Sequence, residues 1–276
     1  MDKLGPNRPA VGNQIPKAVL QLFAHPETNP RSYDLQCLDR ELLESLYPFQ
    51  REGIELALNR NGRILLADDM GLGKSIQALG IATFYRMEWP LLILAPASMV
   101  ASWYEQVKRW LPSVPVDRIV AAYDGKSSLH GLVNILSYDL ATKIVPKSPL
   151  KFHVIIADES HALKNSESKR CKILLPVLKA ASRVILLSGT PALSRPLELY
   201  PQICAVQPNL FPKFFDFGKR YCNGQQSYFG WDFKGFSNLK ELQLVMERTV
   251  MLRRTKDSVL SQLPRKLRHQ VLTIDC

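Results

Sequence analysis

Cysteine is sparse and unpatterned in this chain. The five residues Cys37, Cys171, Cys204, Cys222 and Cys276 are odd in number and far apart, with no C-x-x-C pair. That spacing argues against a zinc site or a disulfide framework and makes a reducing intracellular compartment the default. Long hydrophobic runs are missing as well. No stretch approaches the roughly 20 apolar residues needed to cross a bilayer, and Met1-Asp2-Lys3-Leu4-Gly5-Pro6 opens no secretory segment, so no membrane partner is expected. Internal repeats and low-complexity tracts are also lacking. What remains is a soluble globular chain. Its 276 residues, 46% of them hydrophobic, can fill the core of one large domain or two modest ones.

Acidic residues are in deficit: 25 Asp and Glu face 36 Lys and Arg, a net charge of +11. Twelve basic and five acidic residues fall between Pro212 and Gln270, so most of the excess is concentrated there. A polyanion partner fits this excess, and so does a solvated face or a contact with a further lobe.

Organisation changes along the chain. Prolines 6, 9, 16, 26 and 30 punctuate the first 45 residues, which read as an extension or linker. From Tyr47 onward, short apolar runs alternate with helical patterns. The runs Arg63–Asp68, Leu91–Ala95, Arg118–Tyr123, Val133–Ser137, Val154–Asp158 and Arg183–Leu187 lack polar alternation, as strands buried on both faces require. The prediction is an α/β fold, a parallel sheet with helices on both faces. Met99, Trp103, Val107 and Trp110 mark one helix, with Ser98 as its expected N-cap and the tryptophans packing on the sheet. After Pro196 the strands are expected to cease and a helical segment rich in aromatics to follow.

Three strand ends carry chemistry. Asp69-Met70-Gly71-Leu72-Gly73-Lys74-Ser75 lies between a strand and a helical run. Glycines there let backbone N–H groups close round a phosphate, Lys74 reaches the terminal phosphates, and Ser75 ligates Mg2+. The full phosphate-loop pattern would have glycine where this chain has Asp68. At the end of the second strand, Asp158-Glu159 puts two acids at the sheet edge where ligands bind. Asp158 would hold Mg2+, directly or through water, and Glu159 would polarise the attacking water; the alternative for Asp158 is an ordinary helix cap. Ser188-Gly189-Thr190-Pro191 ends the third. Together they predict a nucleoside triphosphate site, with ATP and Mg2+ as cofactors.

In their order, Tyr47-Pro48-Phe49-Gln50, Asp68–Ser75, Leu94-Ala95-Pro96-Ala97-Ser98 with Trp103, Asp158-Glu159-Ser160-His161, Ser188-Gly189-Thr190-Pro191 and Met251-Leu252-Arg253-Arg254 resemble the motifs of the first lobe of Swi/Snf-type ATPases in helicase superfamily 2. Glu88-Trp89-Pro90-Leu91-Leu92, Asn134–Asp139 and Arg220-Tyr221-Cys222 are most similar to the SMARCA-like annealing helicases, which remodel stalled replication forks. The resemblance implies a RecA-like P-loop NTPase lobe over residues 46–207, a helical protrusion over 208–262, and from 263 a linker to a second lobe. It implies that Gln50 reads the adenine edge. His161, Ser188 and Thr190 would couple the nucleotide to DNA, and Pro96, Ser98, Ser137 and Tyr138 would line a DNA groove. It also implies duplex or forked DNA as partner, a nuclear location, and a second lobe that supplies an arginine finger. The chain stops just beyond Leu263-Pro264-Arg265-Lys266, where such a lobe would begin, so the chain alone is expected to hydrolyse ATP poorly. An RNA-helicase lobe of the DExH kind, or a non-catalytic DNA-binding module with a vestigial phosphate loop, are the other readings.

Overall fold

The computed structural model describes residues 19–20, 31–189, 195–228 and 230–262. In order, its main elements are α1 (Arg40–Ser45), α2 (Pro48–Asn59), β1 (Arg63–Leu66), α3 (Lys74–Phe84), β2 (Leu91–Ala95), α4 (Val100–Trp110), β3 (Ile119–Ala122), β4 (Val133–Ser137), α5 (Tyr138–Ile144), β5 (Val154–Ala157), α6 (Lys169–Ala180), β6 (Arg183–Leu187), α7 (Pro196–Val206), α8 (Phe214–Tyr221), β7 (Gln225–Ser227), β8 (Gly230–Asp232), α9 (Leu239–Thr249) and β9 (Met251–Leu252). Seven strands form one parallel sheet in the order β3-β4-β2-β5-β6-β1-β9.

The period-2 geometry of a strand divides its apolar residues between two faces. Ile64, Leu66, Ile93, Ile156 and Ile185 face one core, which Leu42, Ile54, Leu79, Trp103 and Val107 of α1 to α4 cover. Leu65, Leu94, Ile155, Val184 and Leu186 face the other, covered by Leu140, Leu174, Leu199, Phe217 and Leu242 of α5 to α9. This is the predicted three-layer arrangement. Arg63 ties one corner together: its guanidinium donates to the carbonyls of Leu178 and Ala181 at the end of α6 and of Ala205 and Val206 at the end of α7. Those carbonyls are among the last of their helices, which have no intrahelical donor.

Three expectations need correction. Residues 31–45 do not lead up to the lobe but pack on it: Leu35 and Leu38 before α1, Leu42 within it and Leu46 at its end are all buried in the core that α2 shares. Strands do not cease after Pro196: β9 pairs with β1 and extends the main sheet, and β7 and β8 form a separate antiparallel ribbon. Ser98 does not cap α4. It lies inside a 3-10 turn, Ala97–Met99, and the helix begins at Val100.

Candidate nucleotide site and adjoining groove

Chain beyond β1 turns into the loop Asp68–Gly73. Gly71 and Gly73 take φ of 87° and 73°, which side chains other than glycine rarely adopt. A Cβ on Gly73 would also lie 2.3 Å from Gln50 Nε2. Gly73 then starts α3, and no side chain caps that terminus. The first N–H groups of α3 are therefore presented to any anion the loop encloses. Lys74 donates from Nζ to the carbonyls of Asp68 at 2.7 Å and Asp69 at 3.3 Å, weak acceptors that a phosphate oxygen can replace. Ser75 follows, half-buried, in the first turn.

Asp68 explains the missing glycine. It is wholly buried, and its carboxylate accepts from Arg254 N at 2.9 Å, Nε at 3.1 Å and Nη2 at 2.6 Å, and from Gln77 Nε2 at 3.2 Å. Arg254 also donates to Gln77 Oε1 at 2.7 Å and to the Phe49 carbonyl, with its guanidinium 4.9 Å from the centre of the Phe49 ring. Asp69 is bound to the same segment, donating to Arg254 O and accepting from Lys256 N. The loop is thus stitched to the chain that follows β9. Arg254 belongs to the basic excess of the sequence but is committed to a buried ion pair. Gln50 is buried beneath the loop, where it accepts from Tyr47 N at 3.0 Å and donates to Leu72 O at 3.1 Å.

The other two strand ends lie on the same sheet edge. Parallel ladders join β1 to β6, β6 to β5 and β5 to β2; Ser188 N extends the β6–β1 ladder by donating to Leu66 O, and Asp158 N extends the β5–β2 ladder by donating to Leu94 O. The end of β1, which leads into the loop before Lys74, and the end of β5, which leads into the acid pair, are therefore two strand spacings apart, about 10 Å, on one edge. A Cβ on Gly189 would stand 3.0 Å from Met70 Cγ and 3.9 Å from Lys74 Nζ, so the Ser188-Gly189 turn abuts the loop. Ser188 is buried, and its hydroxyl has no partner among the described residues. Thr190 lies outside the described residues.

Asp158 is held on three sides. Its Oδ1 accepts from Glu159 N at 2.9 Å, its Oδ2 from the indole Nε1 of Trp103 at 2.8 Å, and its carbonyl from the Tyr138 hydroxyl at 2.7 Å. Trp103 was expected to pack, and it does, fully buried; its hydrogen bond to the acid was not legible from the helical pattern. Glu159 has φ of 47° and ψ of 54°, left-handed backbone that is costly for such a side chain, and its carboxylate meets His161 Nδ1 at 3.1 Å. Ser160 turns inward to Gln202 at 2.7 Å.

Beside this pair runs a groove of about 620 Å3, lined by Pro96, Ser137, Tyr138, Glu159, His161 and Arg170 among others. Three of the four residues expected to line a DNA groove therefore meet Glu159 and His161. Ser98 is exposed on the neighbouring turn. Ser137 also caps α5 by accepting from Leu140 N. Tyr138 lies under the Arg170 guanidinium, 5.5 Å from its ring centre. Burial first, then the charge of Asp158, pushes its phenol well above the ordinary range, so the hydroxyl remains a donor.

Comparison with known proteins finds a family and a shared fold. Residues 49–274 match the SNF2-related domain. The SWI/SNF-related matrix-associated actin-dependent regulator of chromatin subfamily A-like protein 1 of Xenopus laevis is 51% identical over 267 residues, covering 94% of this chain and 28% of that protein. Human DNA annealing helicase and endonuclease ZRANB3 is 43% identical over 256 residues, covering 88% of this chain and 24% of that protein. The chain thus spans about a quarter of the length of these relatives. The Sulfolobus solfataricus SWI2/SNF2 ATPase core in complex with dsDNA shares the fold, with a TM-score of 0.66 at 22% identity over 85% of this chain and 49% of that one.

Proposed function

This chain belongs to the SNF2-related domain family, and from that premise we propose that it is the first RecA-like lobe of a DNA-dependent ATPase of the annealing-helicase, fork-remodelling type. The reaction is ATP plus water to ADP plus phosphate, coupled to movement along duplex or forked DNA. Residues 46–207 are the nucleotide-binding lobe in this reading, 208–262 the protrusion, and 263–276 the lead into a second lobe that completes the site. The nucleus is the compartment that suits relatives named as chromatin regulators; among the described residues, no helix is long and apolar enough to cross a membrane.

One observation carries the reading: Lys74, the Ser188-Gly189 turn and Asp158-Glu159 share one edge of a parallel sheet, at the carboxyl ends of neighbouring strands where such sheets bind ligands. The residues fit a triphosphate. The uncapped start of α3 offers its first amides, Lys74 sits on exchangeable carbonyls, and the orphaned Ser188 hydroxyl stands nearby. Ser75 and Asp158 would hold Mg2+, which supplies charge neutralisation at the terminal phosphates. Gln50 would turn its amide to adenine, and Glu159 would orient the attacking water and take its proton. His161, Ser188 and Thr190 would link this pocket to DNA in the groove lined by Pro96, Ser137 and Tyr138, with Ser98 at its rim.

The test is ATP binding and turnover in a chain carrying both lobes. Lys74→Ala is expected to abolish ATP binding, and Glu159→Gln to bind ATP and leave it uncleaved. Stimulation by duplex or forked DNA but not by structured RNA is expected; the reverse preference favours an RNA helicase. Unchanged DNA-stimulated turnover in both variants refutes the proposal.

A further inference from the structure

Exposed aromatic rings are unevenly distributed. Of the six exposed aromatic residues among those described, four, Phe215, Tyr228, Trp231 and Phe236, fall within 22 positions of one another on α8 and the β7–β8 ribbon. Monomeric proteins rarely leave such a patch without a use. The rings are ordered against one another. Phe215 meets Trp231 edge-on at 5.0 Å, and Trp231 stacks on Phe233 at 6.0 Å with planes 11° apart. Phe233 fastens the ribbon to α8, since a Cβ on Gly218 or Gly224 would stand 2.6 Å from its ring. The Lys219 ammonium lies 4.5 Å from the ring centres of both Phe215 and Trp231.

The ribbon walls a second cleft of about 580 Å3, which shares Lys164 and Asn165 with the groove beside Glu159. The two hollows therefore adjoin at Lys164 and Asn165, and Trp231, Phe233 and Lys234 line the second. Three carboxylates border the cleft, and each is engaged: Glu198 with Lys164 and Arg195, Glu167 with Lys172, and Asp232 with the Lys234 backbone. Lys219 and Lys234 have no carboxylate partner among the described residues. Flat rings with cations between and beside them are what unpaired nucleotides bind: bases stack on the rings and phosphates meet the ammonium groups, whatever the sequence. A β-ribbon of two short strands has little stability to gain from displaying aromatics to water.

We propose that the aromatic face of Phe215, Trp231 and Phe233, with Lys219 and Lys234, is a stacking platform for an unpaired DNA strand leaving the groove at the sheet edge. The proposal rests on the DNA-acting reading above and adds to it the surface that holds the unpaired strand. The test compares a blunt duplex with the same duplex bearing a single-stranded tail of about 15 nucleotides, binding to wild type, to Phe215→Ala/Trp231→Ala and to Trp231→Phe. A 2-aminopurine in the tail reports stacking directly. In wild type the tail is expected to tighten binding by about tenfold or more and to quench the probe. The double variant is expected to lose both effects while binding blunt duplex as wild type does, and Trp231→Phe, which keeps a ring, to retain most of them. A wild type indifferent to the tail, or a double variant that keeps its tail affinity and quenching, overturns this inference alone and leaves the surface to a protein partner. A wild type that binds neither DNA overturns the functional reading, and this inference with it.

Discussion

Replacing Trp103 by Phe removes a buried hydrogen-bond donor from the candidate nucleotide site. The indole N–H points at Asp158 Oδ2 from 2.8 Å, and Trp103 is fully buried, so no water stands ready to take its place. A hydrogen bond to a charged group contributes about 1.5–3 kcal/mol, and the smaller ring leaves a void costing about 1 kcal/mol more. In a domain of this size, a loss of about 3 kcal/mol lowers the melting temperature by about 6–12 °C. The sharper consequence concerns Mg2+. Groups that orient a metal-binding carboxylate are typically worth 10–100-fold in metal affinity or activity, so Trp103→Phe is expected to raise the Mg2+ concentration for half-maximal ATP turnover by about that factor. Trp110→Phe on the same helix is the control, because Trp110 is half-buried and makes no contact with the acid pair. Magnesium titrations of turnover in a two-lobe chain, and of nucleotide binding in the present one, supply the measurement. A folded Trp103→Phe protein whose Mg2+ requirement stays within twofold of wild type refutes the argument that the indole orients Asp158.

Two further perturbations bear on stability. Asp68→Gly restores the glycine of the usual phosphate-loop pattern, yet it leaves the Arg254 guanidinium buried without its carboxylate; urea unfolding is expected to show a loss of about 3–5 kcal/mol, and equal stability refutes the role given to the pair. Glu241→Gln breaks the contact that joins α9 to Arg220 and Tyr221 of α8, at an expected cost of about 3 kcal/mol. Burial alone raises the pKa of Glu241, but the hydrogen bonds from Arg220 and Tyr221 outweigh it, so the folded value lies below the ordinary 4.5. The stabilisation is therefore complete above about pH 5 and lost as pH falls through the folded pKa. Melting temperatures of wild type and Glu241→Gln should differ by a constant amount at neutral pH and converge in acid; a gap that widens in acid reverses the sign and the assignment.

Much of the architecture was legible because strands buried on both faces must be apolar throughout. Leu91–Ala95, Val133–Ser137 and Arg183–Leu187 begin and end where their composition does. β9 escaped notice because two residues, Met251 and Leu252, carry no period, and the ribbon because Gln225-Gln226-Ser227 has no apolar face. The prolines before residue 31 mark an extension, while the burial of Leu35, Leu38, Leu42 and Leu46 comes mostly from turns around the short α1, which carry no period. In the site, the loop and the acid pair were legible as local sequence. The contacts that hold them were not: Arg254 reaches Asp68 across 186 positions and Trp103 reaches Asp158 across 55, and only the folded chain brings such pairs together.

The left-handed backbone at Glu159 sets an engineering limit. Holding a glutamate there costs about 1–2 kcal/mol, which asparagine or glycine would largely recover. Selection of variants for heat resistance alone would therefore favour replacing the very carboxylate proposed to handle the attacking water. Thermal robustness and turnover are in opposition at this one position, and a library screened for the first will drift away from the second.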